Sequence, residues 1–233
     1  MHRAVLAVSA AAAGVATVRL AAWLDERIAL LLDEGWRAAL RLPGRWRAPG
    51  PEDGLGAVLA VAAALVLEPS DAVPAALALE GCLAVCAWID WRHRIIPDVV
   101  CLPLLAGGLA VSATPAALVD WSVAWPGALF GLALGGAVRC CGGRLGWGDV
   151  KLLGAVGGWV GPLAICLLFL LSCGLMAIPL AWRRRTAGEA GLPMAPFLAV
   201  ATLPVVLAQA TSTAKDIYLL NKIYSIIFLT CYP

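Results

Sequence analysis

The fold class predicted by this sequence is all-α, a polytopic transmembrane helix bundle of about seven to eight spans. Three observations predict it. Hydrophobic residues make up 62% of the 233-residue chain and charged residues 14%, and mean hydropathy is +0.88. A soluble domain runs near half apolar and a quarter charged. The apolar residues form continuous runs of helix length, without the period-two alternation of a membrane barrel. The charges gather in a few short breaks between those runs.

Taken in order, the apolar runs are residues 4–24, 55–68, 73–89, 98–113, 121–138, 149–161, 162–182 and 193–210. Several fall short of the ~20 residues that cross a bilayer unaided, which a bundle tolerates when neighbours support the ends. Arg3 followed by Ala4–Val18 has the outline of a signal peptide, yet no small-x-small cleavage site leads into a polar mature region. Residues 1–24 are therefore read as a retained first span. Residues 25–54 form a short cytoplasmic segment, amphipathic from Ile28 to Leu42 and Pro/Gly-rich from Pro43 to Gly56. That segment is either surface-bound or a plain linker. Residues 55–210 form the main membrane domain. Residues 211–233 are a tail that turns rich in Ile, Tyr, Asn, Lys and Phe from Lys215 onward, and no function is assigned to it. Gly127, Gly131 and Gly135, and Gly154, Gly157, Gly158 and Gly161, mark helix faces suited to close approach.

The net charge of +2 gives no basis for nucleic-acid binding, and none is expected. The placement of charge is more informative. One set of breaks carries Arg27, Arg37, Arg41, Arg45 and Arg47, then Arg92 and Arg94, then Arg139 and Arg144, then Arg183, Arg184 and Arg185. The alternate breaks, Pro69–Ala72, Ser112–Asp120 and Gly161–Pro162, hold neither Lys nor Arg. By the positive-inside rule the basic set is cytoplasmic. Asp90 and Asp149 then both lie at cytoplasmic helix ends.

Few residues are available for chemistry. The eight cysteines contain no CxxC pair, so neither a zinc ribbon nor a thioredoxin-like site is expected, and no metal or other cofactor. Cys82, Cys86, Cys101, Cys166 and Cys173 sit in apolar runs and read as small apolar filler. There are two histidines, His2 and His93, and His93 between arginines reads as a solvated loop residue. What remains is acidic. Asp90 ends one apolar helix, and a basic loop leads to Pro97, placed to start the next helix. Asp98 falls in that helix's first turn and reads as a cap. Further on, Gly146-Trp147-Gly148-Asp149 uses glycines for a tight turn before a helix that Asp149 opens. Lys151 reads either as an anchor or as a holder of site charge. Glu80 lies inside a span and is expected to face the bundle interior.

Two carboxylates in a poorly solvated site do not both ionise readily, so the pair shares a proton. The ionised member activates a water and the protonated one polarises a peptide carbonyl. This is aspartyl-protease chemistry, and it needs no metal and no Ser or Cys nucleophile.

At this point the motifs become specific. Asp90 with Ile96-Pro97-Asp98, then Gly146-Trp147-Gly148-Asp149-Val150-Lys151-Leu152-Leu153, then Leu192-Pro193-Met194-Ala195-Pro196-Phe197 resemble, in the same order, the motifs of the type IV prepilin peptidases. These are Gly-x-Gly-Asp membrane aspartyl endopeptidases. The resemblance covers roughly residues 55 to 210. It implies a multi-pass protein of the bacterial cytoplasmic (inner) membrane whose site faces the cytoplasm. It also implies that the basic leaders of type IV prepilins or pseudopilins are the substrates. Asp90 and Asp149 match the catalytic aspartates, with Pro97, Asp98, Gly146, Gly148 and Lys151 as supporting motif positions. Many members carry a paired-CxxC zinc insert after the first span and also methylate the new N-terminus. Here residues 25–54 hold no cysteine, so the resemblance is to a short form with peptidase activity alone. The alternative is a non-enzymatic transporter-like or scaffold protein that uses the acids to bind a cation or partner. Such sites usually lie near the bilayer midplane on broken helices, whereas these acids lie near one face.

Overall fold

A computed structural model describes residues 2–34, 72–142, 145–183 and 193–211. These residues form α1 (His2–Glu34), α2 (Val73–His93), α3 (Asp98–Val111), α4 (Trp121–Cys140), α5 (Trp147–Val160), α6 (Pro162–Arg183) and α7 (Ala195–Thr211). The architecture is all-α, as composition predicts, and no strand occurs among the described residues. The expected span at 55–68, most of the 25–54 segment and the tail lie outside the described residues.

Among the described residues, three helices are long and apolar enough to cross a membrane: α2, α4, and α6 over Pro162–Pro179. Their outer faces carry exposed large apolar side chains, including Trp125, Leu129 and Phe130 on α4 and Leu163, Leu167, Leu170 and Ile178 on α6. Exposed apolar surface of that extent marks a face made for a membrane or a partner protein. Two shorter apolar helices, α3 and α7 over Ala195–Gln209, complete the apolar set.

Several boundaries differ from the sequence reading. α1 continues without a break past residue 24 to Glu34, because Asp25, Glu26 and Arg27 interrupt hydropathy but not helix propensity. α2 does not end on Asp90. It runs one turn further to His93, and Arg94 closes it in the left-handed region at φ 58° with its N–H bonded to Asp90 O. Pro97 is the residue before α3, which begins at Asp98. α5 begins two residues before Asp149, at Trp147.

At the centre stands α5. Every residue from Val150 to Val160 except Lys151 is buried, and α3, α4 and α6 pack around it. Its most extensive contact is with α4, and there the two backbones touch. A Cβ on Gly127 would lie 2.2 Å from Gly157 O, one on Gly157 would lie 2.2 Å from Gly127 O, and one on Gly131 would lie 2.3 Å from Leu153 O. Only glycine permits that approach. Gly161 adopts φ +88° and separates α5 from α6, which Pro162 opens in the manner favoured at a first helical position. On the α3 side, the buried Trp159 indole donates to Leu104 O at 2.7 Å.

The second packing group is α2 against α7, with α1 along the other side of α2. Thr17 Oγ1 lies beside Gly81, and Asp25 bonds Arg92 and His93. The contacts advance together along both helices, so α1 and α2 run parallel.

A candidate active site at one end of the bundle

The end of α2, the starts of α3, α5 and α7, the end of α4 and the Asp25 turn of α1 meet at the same end of the bundle. Printed contacts join them: Asp25 to His93 at 2.7 Å, Lys151 to Asp98 at 2.7 Å, Arg139 to Leu145 O and Asp90 to Ala195 N at 3.0 Å. Arg92, Arg94 and Arg139, from two of the basic breaks read from the sequence, lie at this end.

Asp90 is 5% exposed although it lies one turn from the end of α2. Ile89 beside it is fully buried, so the helix face that carries the acid turns inward. Its carboxylate accepts the N–H of Ala195, the first residue of α7. The Met194 amide lies close by. The Arg94 charge also acts on it.

Asp149 is half-buried at the third position of α5. Its Oδ2 accepts the Gly146 N–H at 2.9 Å, the carboxylate half of a capping box. Gly146 leaves that oxygen reachable, since a Cβ there would stand 3.1 Å from it. Gly148 has a different reason: a Cβ would lie 2.9 Å from Ile96 Cβ. The start of α5 therefore presses on the Ile96-Pro97-Asp98 linker, and the two aspartate motifs are in contact. Asp90 is near enough for its charge to be felt at Asp149.

The supporting positions take roles that differ in part from the sequence reading. Asp98 makes no side-chain cap. Both its oxygens accept from Lys151 Nζ, at 2.8 and 2.7 Å, tying the first turn of α3 to the first turn of α5. Lys151 is thus the partner of Asp98 rather than a loose anchor. His93 is not a solvated loop residue. It is the last residue of α2, 17% exposed at its side chain and bonded to Asp25. Glu80 does face the interior, where its carboxyl meets the Thr202 hydroxyl between α2 and α7. The Cys86 and Cys101 thiols lie beside each other between α2 and α3, and all seven cysteines among the described residues are free of disulfides. Among the described residues no group of three or more His, Cys, Asp or Glu could hold a metal ion.

Ala195 is the contact that residue-by-residue reading missed. The proline-rich run Pro193–Pro196 marked a helix start, but a backbone amide has no side-chain signature to connect it to an acid 105 residues away.

Residues 77–181 match the type IV leader peptidase family, a stretch that contains both aspartates. Leader peptidase HopD of Escherichia coli is 35% identical over 148 residues, which is 56% of this chain and 91% of that protein. The chain belongs to the type IV leader peptidase family. Two further relatives of this family member carry the name prepilin leader peptidase/N-methyltransferase. The one from Aeromonas hydrophila is 34% identical over 166 residues, covering 63% of this chain and 53% of that one. The one from Dickeya chrysanthemi is 37% identical over 171 residues, covering 66% and 57%. The chain thus spans about half the length of those longer relatives. No solved structure matches this family member.

Proposed function

We propose that the protein is an aspartyl endopeptidase of the bacterial inner membrane that removes the basic leader from type IV prepilins or pseudopilins on the cytoplasmic side. The observation that carries this reading is the convergence of Asp90, from the buried end of α2, and Asp149, from the start of α5, at one end of the bundle. The family membership and the names of its relatives support the substrate class.

The chemistry follows from a pair holding one proton. The ionised carboxylate takes a proton from a water as that water adds to the scissile carbonyl carbon. The protonated carboxyl gives its proton to the carbonyl oxygen, forming a tetrahedral diol. Collapse breaks the C–N bond as a proton passes to the leaving nitrogen. The leader departs with a new carboxylate and the mature chain with a free amine. The short linker and the glycines around Asp149 suit the approach of an extended peptide backbone. Residues 25–54 contain no cysteine, and the proposal is for cleavage alone, without methylation of the new N-terminus.

Co-expression with candidate prepilins, scored by the gel shift on leader loss, tests the reading. Asp90→Asn and Asp149→Asn are each expected to abolish the shift while membrane insertion and helicity persist. Processing retained in both single variants would sink it. Mass analysis of the mature product reports methylation separately.

A further inference from the structure

The stretch that matches the family, residues 77–181, begins after α1, so the family likeness assigns α1 no part in the site. The structure brings one of its side chains there. Asp25 Oδ1 meets His93 Nε2 at 2.7 Å, and Asp25 Oδ2 accepts from Arg92 Nη1. One carboxylate thus commits both oxygens to consecutive residues of α2. The Asp25 and His93 side chains are 19% and 17% exposed, against 53% for Arg92, so the His93 side of this clasp is sheltered from solvent. Basic residues suit the C-terminal turn of a helix, and Arg92 is further held over the Trp88 ring one turn back.

What the clasp holds is the turn that carries Asp90. Arg92 and His93 are the second and third residues after Asp90, and Arg94 closes the turn with its N–H on Asp90 O. Helix ends fray more readily than helix interiors, yet Asp90 stays buried in this last turn. Beyond Arg94, only Ile95, Ile96 and Pro97 separate α2 from α3, and a Cβ on Gly148 of α5 would press on Ile96. The linker is therefore tied at both ends, to α1 through Asp25 and to α5 through the Lys151–Asp98 pair. A rotation of the last turn of α2 would move Asp90 and also the linker that abuts the start of the Asp149 helix. Away from the site, α1 and α2 meet independently where Thr17 lies beside Gly81, so loss of the clasp frees one turn without releasing the helix.

We propose that Asp25 is a positioning residue for the aspartate pair: by holding Arg92 and His93 it fixes the final turn of α2, and with it the direction from which Asp90 meets Asp149. α1 then belongs to the site as well as to the bundle. The proposal rests on the peptidase reading above.

The test uses the full-length protein. Wild type, Asp25→Ala, Asp25→Asn and Thr17→Val are purified, their helicity is checked by circular dichroism, and prepilin cleavage is resolved into kcat and KM. Amide hydrogen exchange of residues 89–97 and 150–160 is followed by mass spectrometry on the same samples. Misplacing a catalytic group costs up to about 100-fold, so Asp25→Ala is expected to lower kcat by about 10- to 100-fold with KM within about twofold of wild type. Exchange across 89–97 should quicken while that of 150–160 stays at the wild-type rate. Asp25→Asn keeps the shape and one acceptor, so its kcat should fall between the two, and it carries the test if the alanine variant does not fold. Thr17→Val alters the α1–α2 contact away from the site and should leave kcat unchanged. Adding His93→Ala to Asp25→Ala should cost nothing more, because His93 acts through Asp25. Undiminished kcat in folded Asp25→Ala, an equal loss in Thr17→Val, an additive loss in the double variant, or a lowered kcat with unchanged exchange at 89–97 each overturns the proposal and leaves the peptidase reading standing. A wild-type protein that cleaves no prepilin in the panel removes the peptidase reading and this inference with it, and that control precedes the variants.

Discussion

At the scale of single residues, the proposed reading divides the site into acids assigned to the chemistry and charges that hold position. Lys151 and Asp98 belong to the second group. Their side chains are 41% and 55% exposed, and exposed pairs contribute about 1 kcal/mol or less. Asp98→Asn or Lys151→Gln is therefore expected to lower stability by no more than about 1 kcal/mol in a thermal melt. Cleavage should fall by less than about tenfold. The exchange Asp98→Lys with Lys151→Asp should recover most of that loss, and a drop as deep as that of Asp149→Asn would show that Lys151 does more than position. The acids themselves were legible in the sequence, because the polar breaks leave few other candidates. Their partners were not. Nothing in the spacing pairs Lys151 with Asp98, or His93 with Asp25, since those bonds depend on which helix ends the fold brings side by side.

At the scale of elements, the α4–α5 contact governs the site's geometry. Gly127, Gly131 and Gly157 were recognisable as close-approach positions from their repeat along the chain, and backbone meets backbone there. Gly157→Ala would need a Cβ 2.2 Å from Gly127 O, so the two helices must part. Overpacking of this kind costs about 1 to 3 kcal/mol, and a lowered melting temperature with reduced cleavage is the expected result. Gly136→Ala on the same helix as Gly127 has open space around it and should be neutral or slightly stabilising, since alanine is the better helix former. Equal melting curves for the two variants would contradict this packing. The helix ends were less legible than the helices, for a physical reason. Hydropathy falls at the first charge, but the backbone continues until a cap stops it, as at Asp90 and Arg94.

At the scale of the whole molecule, two bands of exposed tryptophan frame the bundle. Trp88, Trp91 and Trp147 lie toward the site end, and Trp121 and Trp125 begin α4 at the other. Aromatic belts of this kind mark the two membrane–water interfaces. Arg139 over the Trp147 ring, at 4.8 Å, and Arg92 over the Trp88 ring, at 5.6 Å, add positive charge to the site-end band. Orientation is then open to direct measurement through Cys140 and Cys141, which are exposed at the end of α4. In a Cys231→Ser background, a membrane-impermeant maleimide should label them in inverted inner-membrane vesicles and not in intact spheroplasts. The reverse pattern would place the site outside the cytoplasm. The enclosure of α5 has one more consequence. With ten of its fourteen residues buried and a length of about 21 Å at 1.5 Å per residue, the helix that bears Asp149 is insulated from the lipid by its neighbours. Changes in acyl chain or headgroup reach it only as secondhand pressure through α3, α4 and α6. On the proposed peptidase reading, the geometry around Asp149 is therefore expected to hold when the surrounding lipid changes.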